Sequence, residues 1–195
     1  MVYDPDIHRR RSIRLKAYDY SGAGTVFITI CSQGKKCLFG HIANREMVLN
    51  ESGQTVVHWW LQISEHFPFV FLDEFIVMPN HIHGVIHLKS SGRGEPALKA
   101  AHPKAFQRVS ELGKIVAYFK YQSTKQINGA RNNPGIKVWQ RSYFEHVVRN
   151  ENSLYRIRDY ISNNPRQWEF DKENPRRSSR EAQTLAILPQ ESWQV

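Results

Sequence analysis

The chain has 195 residues, enough for one domain with a hydrophobic core and a stretch for two. Lysine and arginine outnumber aspartate and glutamate 27 to 18, and the net charge of +9 favours a polyanionic partner, nucleic acid ahead of an anionic membrane surface. No apolar run approaches the ~20 residues of a membrane span; the N-terminus lacks a signal-peptide pattern, and Cys31 and Cys37 form neither a Cys-x-x-Cys knuckle nor a disulfide framework, so a cytoplasmic protein with reduced thiols is expected.

His8 to Lys16 opens the chain as a basic segment. A charge run is most simply a solvated face; in so basic a chain it also suits a phosphate backbone. Thr25 to Cys31, rich in β-branched and aromatic residues, predicts a buried strand. Val56, Trp60, Ile63 and Phe67 recur at helical spacing, predicting an amphipathic helix over 51–67 that Pro68 ends. Phe71 to Met78 and His81 to Leu88 read as two strands joined tightly through Pro79-Asn80.

A flexible surface loop is expected over about 89–105, where Ser, Gly and Pro accumulate. The next helix carries Leu112, Val116, Phe119, Ser123 and Ile127 on one stripe, with Lys114 and Lys120 on its surface. Val138 to Val148 reads as a strand region after the Asn132-Asn133-Pro134-Gly135 turn. A last helix begins near Asn152-Ser153, buries Leu154, Ile157 and Ile161, and stops at Asn163-Asn164-Pro165. The order strand, helix, strand, strand, helix, strand, helix predicts an α+β fold: a ferredoxin/RRM-like antiparallel sheet with helices packed mainly on one face. Residues 1–174 are expected to form the single domain, its first 20 or so residues the basic segment, with 175–195 as a tail.

The chemistry concentrates in His81-Ile82-His83. Strand side chains alternate, so the two imidazoles share a face while Ile82 turns to the other, toward the expected core. That spacing also fits two plain strand residues; it gains meaning with a nucleophile and a further ligand. Tyr160 and Asn164, four apart, project from one face of the last helix. A phenol can attack phosphorus, and an amide oxygen can ligate a hard cation. Tyr118 and Tyr121 also lie in helical context, where packing or base stacking is the simpler role. His87 shares the parity of the pair but sits ~13 Å from His83 along a strand.

Met78-Pro79-Asn80-His81-Ile82-His83 on a strand, then Val138 to His146, then Tyr160-Ile161-x-x-Asn164-Pro165, resembles the single-tyrosine HUH transposases, and more closely the REP-associated tyrosine transposases. The resemblance runs over roughly residues 8–170. It implies that His81 and His83 bind a divalent metal, Mg²⁺ or Mn²⁺, that Tyr160 is the nucleophile, and that Asn164 is the third metal-side residue. Insertion-sequence relatives usually carry glutamine at that last position, so asparagine leans to the REP-associated branch. The implied activity is cleavage of single-stranded DNA beside imperfect hairpins through a 5′-phosphotyrosine link, followed by strand transfer, in a monomer or homodimer associated with the nucleoid. Arg9, Arg10, Arg11, Arg14, Lys16, Lys114 and Lys120 are the candidate DNA contacts. Two other readings stay open: a domesticated hairpin-binding protein that no longer cuts, and a hydrolytic phosphodiesterase using water at the histidine metal site.

Overall fold

Between Gly24 and Cys31 every side chain suits a pleated, two-sided interior, and this strand lies inside the main sheet. The structure is a computed structural model and describes residues 24–89 and 111–177. In chain order the strands and helices are β1 (Gly24–Cys31), β2 (Gly40–Ala43), β3 (Glu46–Leu49), α1 (Glu51–His66), β4 (Val70–Val77), β5 (His81–Leu88), α2 (Glu111–Ala130), β6 (Phe144–Val148) and α3 (Glu151–Asn163). A 3₁₀ segment, Asn164–Phe170, prolongs α3.

β4, β5, β1 and β6 form one antiparallel sheet in that order, so the expected α+β architecture is present. Val26, Ile28, Ile30, Ile82 and Ile86 join Trp60 and Ile63 of α1 and Leu112, Ile115 and Phe119 of α2 in the larger core. Phe27 and Val85 instead meet Leu154, Ile157 and Ile161 of α3. Two helices therefore cover one face, and α3 covers the other. Burial on both sides explains why β5 is enclosed almost throughout. Each such apolar side chain contributes about 1.5–3 kcal/mol when fully removed from water.

Asn50 and Asn150 cap α1 and α3, their side-chain oxygens accepting from Gly53 N at 3.0 Å and Ser153 N at 2.8 Å. The β2–β3 hairpin falls where no strands were expected. Its turn residues Asn44 and Arg45 both have positive φ, 51° and 63°, as a type I′ connection needs, without the glycine that would have signalled it. The expected strand over 138–148 is shorter: only Phe144–Val148 pairs as a strand, while Trp139 makes a single bridge to Ser32. The ladder breaks between them because the carbonyls of Gln140, Arg141 and Ser142 turn to the Lys120 ammonium, at 3.0, 3.3 and 3.2 Å. No helix among the described residues is long and apolar enough to cross a membrane.

Candidate active site

β5 alternates, and its odd-numbered positions face α3 through Val85. His81 and His83 lie on that face, 0% and 1% exposed, opposite Cys31 and Thr29 of β1. Their orientation is set from behind. Asn80 donates through Nδ2 to the carbonyls of Lys35 at 3.0 Å and Glu173 at 2.7 Å, which turns its Oδ1 toward His81. His81 Nδ1–H donates to that oxygen at 2.8 Å, which makes Nε2 the acceptor nitrogen of the ring. His83 Nδ1 is held by Thr29 Oγ1, also at 2.8 Å. The two Nε2 atoms face each other at 3.0 Å. Burial pulls His81 down to about 3 and His83 well below its ordinary value, so both rings are neutral bases at neutral pH.

α3 carries Tyr160 to this pair: the phenol oxygen lies 3.3 Å from His83 Nε2. The Tyr160 ring meets Phe27 edge-on at 6.2 Å. Burial first, and the negative charge of Asp171 second, hold the phenol above its usual pKa. The helix itself is pinned to β4. Arg158 donates to both Asp73 oxygens, at 2.8 and 2.6 Å, and Ser162 donates to Glu74 Oε1 at 3.1 Å. Those pins flank Tyr160 in sequence and engage the irregular stretch of β4 between Leu72 and Phe75.

Asn164 lies one turn beyond Tyr160, 2% exposed, with its amide beside Tyr160 and Asp171. Asp171 was not expected here. The 3₁₀ segment folds back and sets Asp171 Oδ2 3.8 Å from His81 Nε2. His81, His83 and Asp171 thus offer three ligand atoms all within 4.8 Å of one another. No periodicity marks Asp171; its one signal is that an acid follows the Tyr160–Asn164 turn within the same short run.

These donors fit a divalent cation. Asn164 Oδ1 and Asp171 Oδ2 are buried without a hydrogen-bond partner, a state that costs about 1–3 kcal/mol per group and that a cation relieves. The two Nε2 atoms lie 3.0 Å apart, close enough for both to reach one ion. Mixed imidazole and oxygen donors suit Mn²⁺, or Mg²⁺ with retained waters.

The remaining candidates are placed as follows. Arg9, Arg10, Arg11, Arg14 and Lys16 lie outside the described residues, as does nearly all of the expected 89–105 loop. Lys114 is paired with Glu111 at 2.6 Å in the first turn of α2. Lys120, expected along a DNA backbone, gives its ammonium to the three carbonyls of 140–142. Tyr118 stacks on His66 at 4.1 Å between α1 and α2. His87 is held by Thr25 and Asp73 at 2.8 and 2.6 Å. His146 is half-buried on β6, opposite Phe27. Cys31 keeps its proton: burial, then Glu173, push the thiol up to about 12.

No protein-family model matches the chain. A Haemophilus influenzae protein named only as uncharacterized is 45% identical over 175 residues, 87% of this chain and 96% of the relative. A second protein of the same organism, provisionally named a REP-associated tyrosine transposase, is 29% identical over 104 residues, 53% of each chain. Among solved structures, a REP-associated tyrosine transposase bound to a REP hairpin superposes with a TM-score of 0.53 at 19% identity, over 82% of this chain and 76% of that one. A crystal structure provisionally named a transposase, from Deinococcus radiodurans, follows at 0.43 and 16% identity, over 77% and 95%.

Proposed function

We propose, from the premise that this chain belongs to one family with the first Haemophilus influenzae relative and shares the fold of a REP-associated tyrosine transposase, that it is a metal-dependent nicking and strand-transfer enzyme acting on single-stranded DNA beside hairpins. The observation that carries the reading is the 3.3 Å approach of the Tyr160 phenol to His83 Nε2, with His81 Nε2 a further 3.0 Å away. A nucleophile and a ligand set meet within one chain, which favours a site that needs no partner subunit. The solved neighbour's REP hairpin motivates the substrate class assigned here.

In this reading Tyr160 Oη attacks a backbone phosphorus. The bond from phosphorus to the 3′-oxygen breaks, the DNA 5′-phosphate stays on the tyrosine, and the proton lost by the phenol is balanced by the one gained at the new 3′-hydroxyl. Rejoining is the reverse attack by a 3′-hydroxyl and consumes no nucleotide triphosphate. His81, His83 and Asp171, with Asn164 beside them, would hold the divalent ion. Bound there, such an ion would supply charge neutralisation and orientation for the displacement. Asn80 and Thr29 keep the imidazoles aimed, and the Arg158 and Ser162 pins keep Tyr160 at attacking range. Burial and the Asp171 charge keep the phenol protonated until it attacks.

The test is covalent trapping. Purified protein is mixed with Mn²⁺ and labelled single-stranded DNA from repeats flanking its own gene, then denatured and resolved. An adduct that vanishes in Tyr160→Phe and in chelator supports the proposal. Tight binding with no adduct favours the non-cutting hairpin binder, turnover without adduct favours the hydrolase, and an adduct persisting in Tyr160→Phe removes Tyr160 from the role.

A further inference from the structure

On the side of α2 turned away from the core, Tyr121 and Lys125 stand one turn apart, with Tyr121 64% exposed. Across from them runs the irregular chain from Pro134 to Ser142, presenting Ile136, Lys137 and Arg141, all exposed. Between the two lies an open groove of about 1510 Å³, larger than a typical small-molecule pocket. Among the described residues, its lining includes Lys120, Lys125, Lys137 and Arg141 and no aspartate or glutamate. The groove is preformed. Trp139 Nε1 donates to Ser123 Oγ at 2.9 Å, Asn128 Nδ2 donates to the Ile136 carbonyl at 2.8 Å, and the Lys120 ammonium holds the 140–142 rim.

Its position ties it to the histidine pair. Gln140 N, on the rim, donates to the Cys31 carbonyl at 2.9 Å, and Cys31 is the cross-strand partner of His81. The groove's rim is therefore joined to the end of β1 and β5 that carries the histidines, on the α2 side of the sheet. A channel lined by lysine and arginine with an exposed aromatic ring fits a phosphate backbone whose bases are free to stack. A duplex would leave the ring without a base face.

We propose that this groove binds the single-stranded DNA adjoining the cut, with phosphates on Lys125, Lys137 and Arg141 and a base on Tyr121. It rests on the DNA-cutting reading above for the identity of the polymer. Lys120 is a positioning residue, holding the rim that presents Arg141.

The experiment reads equilibrium binding in EDTA, where no cutting is expected, by fluorescence anisotropy of a fluorescein-labelled 20-nucleotide oligothymidylate on the full chain. Tyr121→Ala should weaken binding by at least about fivefold, the low end for loss of one base–aromatic stack. Lys125→Ala with Lys137→Ala should weaken it further and flatten the slope of log affinity against log salt by about 1.4, for two phosphates on a single strand. Arg45→Gln, which removes a charge from the β2–β3 turn, should leave binding within about twofold, a change under one released phosphate. The substituted side chains are exposed, and thermal melts confirm that each variant folds. Groove variants that bind like the parent overturn the proposal, as does a parent that ignores the oligonucleotide. Equal affinity for an oligothymidylate–oligoadenylate duplex with no effect of Tyr121→Ala also overturns it. Groove-dependent binding without a Tyr160 adduct would sink only the cutting reaction, and an adduct with groove-independent binding would sink only the groove.

Discussion

Gly84→Ala tests how the core behind the candidate site is built. Gly84 sits in β5 between His83 and Val85, paired with Ile28 on one side and Phe75 on the other. An alanine Cβ there would lie 2.2 Å from Trp60 Cζ2 and 2.6 Å from its Cη2. Carbon atoms rest at about 3.5–4.0 Å, so one side must yield by more than about 1 Å. The Trp60 ring is fully buried and enclosed by Phe75 and Phe119, with ring centroids at 5.8 and 5.6 Å, and has no open space to enter. Overpacking of this kind costs about 1–3 kcal/mol and more where neighbours are rigid; a loss near 3 kcal/mol is expected, about 6–12 °C in melting temperature for a chain of this size. If β5 bows instead, His83 shifts and the adduct yield falls along with the melting point. Differential scanning calorimetry of the variant reads the first effect, and trapping reads the second. A melting point within 2 °C of the parent would refute the packing argument.

Asp73→Asn should loosen the attachment of α3 to β4, lowering stability at pH 7 by about 1 kcal/mol, since Arg158 is substantially exposed and the pair is screened. The hydrogen bond from Arg158 holds the Asp73 carboxyl well below its ordinary range against the opposing effect of burial. Its contribution is therefore present above about pH 4 and lost as pH falls through the folded value, and urea titrations of parent and variant should converge between pH 5 and strong acid. In EDTA, stability should fall as pH drops from about 6.5 toward 3, because the unfolded chain takes up protons that the buried His81 and His83 refuse; a flat pH response there would contradict buried neutral rings. Mn²⁺ at about a hundred times its dissociation constant should add about 2.7 kcal/mol, and thermal shifts should show this gain weakened more by Asp171→Asn than by Asn164→Ala.

What was legible in the chain is what local periodicity encodes. Thr25–Cys31 announced a strand by β-branched composition, Leu112 to Ile127 announced a helix by its stripe, and the parity of His81 and His83 put both imidazoles on one face. Parity alone does not say what covers that face. The apolar stripe of α3 decides it: Leu154, Ile157 and Ile161 require a hydrophobic patch, and Phe27 and Val85 supply one beside the histidines. Tyr160, next to Ile161, is then carried to His83 by the packing of its neighbours. Asp171 lay beyond such reasoning because its place depends on contacts remote in sequence. Asn80 binds the carbonyl of Glu173 across 93 positions, and that tie holds the chain end that bears Asp171 against His81. Lys120 escaped for the same reason. A lysine on the outer side of a helix looks like a solvent-facing charge until the returning 140–142 chain offers it three carbonyls. The site is thus assembled by two kinds of information, side-chain parity that any window of sequence displays and long-range backbone ties that only the folded chain brings together, and the Asp171 carboxylate belongs to the second.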